Sequence, residues 1–182
     1  DTASYAGATA AVTVSLAVLG AQVTGGGGGD TLISIENLIG GNGADSLTGA
    51  AGANRLEGEA GNDVLAGGTG DDTLIGGDNN DTLRGEANND RLSGGAGNDN
   101  MTGGAGLDRF LVEAGTDTIT DLGAGGNDLL NVSAGAIANA TLVGDWTALG
   151  GVSNAGFANL TSAGFAVNLS AATGVAPGLW SV

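Results

Sequence analysis

From residue 40 to residue 120 the large apolar positions of the chain recur every nine residues. They fall at Leu47, Leu56, Leu65, Leu74, Leu83, Leu92, Met101, Phe110 and Ile119, and Leu38 stands one period earlier in the same phase. Around each lies a short polar–apolar–variable run such as Thr73-Leu74-Ile75. Helical amphipathicity would space apolar residues by three and four, whereas this alternation suits a short strand with one buried face. Each nonapeptide therefore predicts a three-residue strand and a six-residue turn. Two repeats make one 18-residue coil, its strands on opposite sheets and both apolar side chains turned inward. Self-similarity at a fixed period is the mark of a solenoid, in which each unit buries its core only against its neighbours.

Two further columns keep the same phase. Written in nines from Gly40, the sixth position reads Asp45, Asn54, Asp63, Asp72, Asp81, Asp90, Asp99, Asp108 and Asp117. Positions one and four are mostly glycine, which predicts tight turning with positive φ there. Where position four is not glycine it is Asn79 or Asn88, residues that tolerate the left-handed region.

Composition sharpens this picture. The chain has 38 glycines and six aromatic residues, so its core must be built from regularly spaced small aliphatics. It carries 20 acidic residues against four arginines, with no lysine and no histidine, for a net charge of −16. Such a charge repels phosphate backbones and anionic lipid, which argues against nucleic-acid and membrane-surface partners. High acidity with few aromatics reads as disorder unless cations neutralise it. The absence of Cys, His and Lys removes thiol chemistry, the commonest general base and the phosphate-binding P-loop. No 18-residue apolar run predicts a transmembrane helix. The carboxylates repeat without distinction, which suits a scaffold, and the chain is expected not to be an enzyme in itself. Asp1-Thr2-Ala3-Ser4-Tyr5 reads as position six onward of a repeat, so the natural chain is expected to continue N-terminally or to be cleaved there.

The sixth-position column carries the chemistry. Coils stack at about 4.8 Å, so Asp side chains two repeats apart line up along each edge. Two unit charges at that spacing repel by about 0.9 kcal/mol in water and about 3.5 kcal/mol at an effective dielectric of 20. Several such contacts would exceed the small net stability of a domain. A divalent cation between coils is required, and carboxylate and carbonyl oxygens without His or Cys select calcium over zinc or copper. The expected bridging pairs are Asp45–Asp63, Asp63–Asp81, Asp72–Asp90, Asp81–Asp99, Asp90–Asp108 and Asp99–Asp117. Asn54 faces Asp72 with one charge fewer, so that site is expected to be weak or empty. Asp71, Asp78, Asp121, Asp128 and Asp145 are off phase and read either as further ligands or as solvated turn and cap residues.

The segments GGTGDDTLI, GGAGNDNMT and GGAGLDRFL resemble the hemolysin-type RTX repeats G-G-x-G-x-D-x-U-x, where U is a large apolar residue. Gly25 to Ile33 (GGGGGDTLI) is a full match too, which brings in Asp30, and the insert Ser34 to Ile39 then slips the phase. The resemblance implies an all-β fold, a right-handed parallel β-roll (β-solenoid) with β-rich flanking caps. Residues 1–39 would hold spacer strands and the first repeat, 40–120 the roll, and 121–182 a β-rich C-terminal flank. It implies several calcium ions, each completed by backbone carbonyls at positions one and three of one coil and two and four of the next. The matching glycines are Gly58, Gly67, Gly68, Gly76, Gly77, Gly85, Gly94, Gly95, Gly103 and Gly104. It also implies type I export and folding in extracellular calcium, hence a secreted, extracellular or cell-surface location. The expected function is a calcium-dependent structural module of a bacterial surface layer, adhesin stalk or filament. The alternative is the C-terminal repeat domain of an exported protease, epimerase or lipase. Ice binding is disfavoured, because position seven offers no flat threonine array.

The flanks and one face complete the reading. Ala11 to Leu16 and Phe165 to Leu169 alternate with period two and read as spacer strands, while Trp146, Phe157, Phe165 and Trp180 are expected to cap the core. If alternate repeats share a face, position seven gathers Arg55, Thr73, Arg91 and Arg109 in one column. Position nine would add Ile75 and Leu111 as exposed aliphatics. That stripe is expected either to offset local Asp repulsion or to dock an acidic partner surface, in self-assembly or against another part of a larger chain.

Overall fold

The computed structural model describes residues 1–25, 29–144, 146–147, 157–162, 167–168 and 180–181. Side-chain expectations for Asp145, Trp146, Phe157, Phe165 and Trp180 lie outside the described residues. Among those described there is no helix, and none therefore that is long and apolar enough to cross a membrane. Two parallel sheets face each other in a β-roll.

The first sheet takes Thr2–Ser4, Asn37–Ile39, Arg55–Ala60, Thr73–Asp78, Arg91–Ala96, Arg109–Val112 and Leu129–Val132 in that spatial order. The second takes Thr13–Ser15, Ser46–Thr48, Val64–Thr69, Thr82–Ala87, Asn100–Ala105, Thr116–Leu122, Ile137–Leu142, Phe157–Ser162 and Trp180–Ser181. Strands alternate between sheets along the chain, so each 18-residue step returns a strand to its predecessor. Leu74 pairs with Leu56 and Leu92 in one sheet, and Leu83 with Leu65 and Met101 in the other. The eighth-position side chains from Leu38 to Ile119 are fully buried, and stacking places each between its copies one coil away. Leu122, Leu130, Val132, Ala138, Ala140, Leu142, Ala158 and Leu160 extend the same core beyond the repeats.

Three expectations about the backbone need correction. The interior strands are six residues long, as in Arg55–Ala60, and not three. They run through positions seven to nine and on through positions one to three of the next repeat, because Glu59 and Ala60 still pair with Gly77 and Asp78. Positive φ falls at positions two and four, not one and four: Gly77 has φ 117° and Gly70 has φ 124°. Glu59 and Glu86 also take this conformation at position two, with φ of 76° and 82°. The third correction concerns the first repeat expected at Gly25 to Ile33, whose described residues join neither large sheet. Thr2–Ser4 and Thr13–Ser15 already pair with Asn37–Ile39 and Ser46–Thr48, so both places in the first coil are taken. Residues 17–25 and 29–35 belong to an excursion that pairs with neither large sheet, with Gln22–Val23 antiparallel to Gly29–Asp30, and Val18, Leu19, Val23 and Ile33 are exposed.

The arginine column exists as a register column: Arg55 pairs with Thr73, Thr73 with Arg91, and Arg91 with Arg109. All three arginines are exposed, and Arg55 forms an ion pair with Glu57. Ile75 and Leu111 are half-buried and not the exposed aliphatics expected. They pair with Glu57, Ser93 and Asn131, so the coils above and below cover part of each side chain.

Candidate metal centre

Each turn delivers its sixth-position Asp to the edge of the roll just before a strand begins. The side chain does not point to water. Asp45, Asp63, Asp72, Asp81, Asp90, Asp99, Asp108 and Asp117 are each at most 2% exposed, and Asn54 is 6% exposed. One oxygen of each carboxylate has a fixed task. Oδ1 of Asp81 accepts the backbone N–H of Asp63 at 2.8 Å, and Oδ1 of Asp99 that of Asp81 at 2.9 Å. The same bond joins Asp63 to Asp45, Asp90 to Asp72, Asp108 to Asp90 and Asp117 to Asp99, always 18 residues apart. Asn54 holds its place in this ladder, giving its N–H to Asp72 Oδ1 at 2.7 Å. The structure thus brings together every expected pair.

The second oxygen has no such task. Oδ2 of Asp63, Asp72, Asp81, Asp90, Asp99, Asp108 and Asp117 is buried without a hydrogen-bond partner. A buried carboxylate oxygen left unpaired costs far more than a surface one. The first-position glycines show where these oxygens aim. A Cβ added to Gly58 would collide with Asp63 Oδ2 and come within 2.6 Å of the Gly76 carbonyl oxygen. The same cradle recurs at Gly76, with Asp81 Oδ2 and the Gly94 carbonyl at 2.6 Å, and at Gly85, with Asp90 Oδ2 and the Gly103 carbonyl at 2.6 Å. At Gly67 the partners are Asp72 Oδ2 and the Gly85 carbonyl, at 2.9 Å. Position one is glycine because a side chain would fill the space where carboxylate and carbonyl oxygens converge. The repeat carrying Asp117 has Val112 in that position instead, so its cradle already holds a Cβ.

At the second-position glycines Gly68, Gly77, Gly95 and Gly104 the missing Cβ answers a different constraint. A Cβ on Gly77 would strike the Glu59 carbonyl of the coil before it, and one on Gly68 the Ala50 carbonyl. The Gly95 carbonyl accepts the Ala114 N–H at 3.2 Å. These positions serve close approach between coils. Asp30 stands apart from the columns. Half-buried in the excursion, it accepts hydrogen bonds from the Tyr5 hydroxyl at 3.1 Å and the Thr24 hydroxyl at 2.9 Å.

Electrostatics follow from burial. Desolvation raises the carboxyl of Asp81 to about 7, helped by the charges of Asp63, Asp99 and Asp78 and opposed by the hydrogen bond from the Asp63 backbone. Asp90 and Asp117 rise to about 7 and Asp63 to about 6, for the same leading reason. Asp72, Asp99 and Asp108 are raised as well, again chiefly by burial. The ladder therefore resists carrying its full charge without compensation.

Two features go beyond what the repeat phase indicated, the first at Asp128, which the sequence left between further ligand and cap. Asp128 is 1% exposed and continues the ladder, its Oδ1 accepting the Asp108 N–H at 3.0 Å and its Oδ2 the Gly123 N–H at 2.6 Å. The signal was Asn127-Asp128-Leu129-Leu130, which repeats the Asn-Asp-x-Leu of Asn62 to Leu65, but 20 residues after Asp108 and so out of phase. Position five forms a second ladder of opposite sense. Asn80 donates its N–H to Asn62 Oδ1, Asn98 to Asn80 Oδ1, and Asn89 to Asp71 Oδ1, at 2.7–3.0 Å. Asp71 and Asp78 remain exposed.

Among the described residues no three acidic side chains cluster tightly enough to form a metal-ligand set by themselves. Each cradle offers one free carboxylate oxygen with backbone carbonyls, an oxygen-only donor set of the kind a hard divalent cation takes. The orphaned oxygens, the space a Cβ would fill and the absence of soft ligands all fit calcium. A family model described as the RTX calcium-binding nonapeptide repeat matches the chain in four copies, at residues 35–65, 57–92, 75–110 and 84–119. No curated protein matches the chain.

Proposed function

Residues 35–119 belong to the RTX calcium-binding nonapeptide repeats, and from that premise we propose that the chain is a calcium-dependent structural module of a secreted bacterial surface or extracellular protein. It is a stalk, layer or filament segment and does no catalysis of its own. The observation that carries this reading is the row of seven buried Asp Oδ2 atoms without partners. A sequence keeps such a row only if something outside the chain satisfies it. Bound calcium supplies compensating charge and a flexible shell of oxygen ligands. The chain's own residues do the rest. Asp63, Asp72, Asp81, Asp90, Asp99 and Asp108 present Oδ2, and the carbonyls of Gly76, Gly85, Gly94 and Gly103 close cradles from the next coil.

Folding is then coupled to the calcium of the compartment. In low calcium the carboxylate columns oppose stacking, which keeps the chain export-competent. In millimolar calcium the coils close. The exposed column of Arg55, Arg91 and Arg109 supports self-assembly or packing against another part of a larger chain, through charge-assisted pairs with carboxylates. Far-UV circular dichroism tests the reading. The chain should be largely disordered in chelator and gain β structure on adding millimolar calcium; a folded spectrum unchanged by chelator would refute it.

A further inference from the structure

Beyond Asp117 the chain leaves the nine-residue period, yet one edge of the roll keeps an orphaned carboxylate. Asp108 is 1% exposed, its Oδ2 has no partner, and an added Cβ at Gly103 would run into it. Along the same edge in the coils before it, the residue 18 places after Gly67 and Gly85 is another glycine, whose carbonyl closes the cradle. Eighteen places after Gly103 stands Asp121. Its carboxylate folds back onto the same glycine, Oδ1 accepting the Gly103 N–H at 3.0 Å and Oδ2 the Gly104 N–H at 2.7 Å.

A break in strand pairing explains this. Elsewhere the first-position N–H goes to a ninth-position carbonyl of the next coil, as Gly40 to Glu57 at 2.7 Å and Gly49 to Ala66 at 2.8 Å. Pairing of Asn100–Ala105 with Thr116–Leu122 stops at Met101 and Ile119, and between Ile119 and Leu122 the register with Ile137–Leu142 also shifts. There a side chain takes over the acceptor role of the backbone. Each carboxylate oxygen of Asp121 gives one lone pair to an amide and keeps another. Asp128 fixes the backbone of Asp108 through its Oδ1, and its own Oδ2 is held by Gly123.

We propose that Asp108 and Asp121 form an additional calcium site at Gly103, in which a second carboxylate stands where the preceding coils use a carbonyl. The proposal rests on the calcium reading above and goes beyond it, because Asp121 lies past the last matched repeat, which ends at residue 119. Affinity for calcium rises with the charge of the ligand set, so this site fills at lower calcium than the one-carboxylate cradles.

Calcium titration against a chromophoric chelator, on the whole chain and on Asp121→Asn and Asp1→Asn, decides the matter. Asp1 is exposed, stands apart from the cradles and controls for the loss of one charge. Asp121→Asn should bind one ion fewer and lose the tightest phase, while Asp1→Asn matches the parent. Equal stoichiometry and affinity in the two variants would overturn the site and leave the calcium reading standing; a parent chain that binds no calcium would overturn both. If Asp121→Asn fails to fold in saturating calcium, anomalous scattering from crystals of the calcium-loaded parent replaces it. An ion between Asp108 and Asp121 is expected there, and none at that place would overturn the proposal.

Discussion

In the repeats, successive coils pair at an interval of 18 residues, as Leu65 with Leu83 and Leu83 with Met101. In the flanks the interval varies: 33 residues from Thr13 to Ser46, 21 from Thr116 to Ile137 and 20 from Ile137 to Phe157. Both regions bury an apolar column, Leu74 and Leu83 in one, Val14, Ala140 and Leu160 in the other. Among the described residues only the repeats bury carboxylate oxygens without partners. At the first member of one column and the last member of the other the second oxygen is satisfied by the chain, Asp45 Oδ2 by the Gly41 N–H at 2.6 Å and Asp128 Oδ2 by the Gly123 N–H at 2.6 Å. Stacking of apolar residues under parallel pairing tolerates turns of many lengths, because extra residues loop out. A calcium cradle tolerates far less, since glycine, Asp and the next coil's carbonyl must meet within one turn.

If the apolar column is the common ground of both regions, truncating it costs alike in each. Leu74→Ala in the repeats and Leu142→Ala in the flank should each lose about 2–5 kcal/mol in saturating calcium, as large cavities in packed cores do. Urea unfolding measures both, and a loss confined to Leu74→Ala would mean that the flank is held by something other than this core.

The carboxylate column should divide the regions where the apolar column unites them. Asp81 shares pairs with Asp63 and Asp99, whereas Asp45 shares a repeat-to-repeat pair only with Asp63. Asp81→Ala should therefore remove more bound calcium than Asp45→Ala in equilibrium dialysis. Equal losses would contradict the stacking register.

Acidity gives a test in the absence of metal. Asp81, Asp90 and Asp117 in the folded chain titrate near 7 and Asp63 near 6, against an ordinary value of 3.8. Between those limits the folded chain holds protons that the unfolded chain has released, so stability falls as pH rises through this window. Calcium-free chain should gain β structure when acidified from pH 7.5 to pH 5, by circular dichroism. Calcium-loaded chain should instead lose ions over the same range, because protons compete for the ligands.

The smallest effect concerns backbone strain within the repeats. Glu86 sits at φ 82°, where the aligned residues Gly68 and Gly104 pay no Cβ penalty. Glu86→Gly should stabilise the calcium-loaded roll by about 1 kcal/mol. A lower unfolding midpoint would show that the glutamate side chain contributes more than its strained backbone costs.

The sequence alone determined the coil length, the inward column from Leu38 to Ile119 and the Asp ladder on each edge. These follow from periodicity: identical residues 18 apart must stack, and alternation within a strand decides which of them face inward. Strand length, the left-handed position at Gly77 in place of Gly76, and the purpose of the first-position glycines were decided by contacts between coils, which a single repeat does not contain. The tertiary structure also decided the fate of everything out of phase. Gly25 to Ile33 matches the motif residue for residue, yet Thr2–Ser4 and Thr13–Ser15 occupy the strand places it would need. Asp128 lies two residues off period, yet it joins the ladder because the turn before it absorbs the extra length. A motif states what a segment can bind. Which segments find a coil to stack on depends on the order in which the whole chain fills its two sheets.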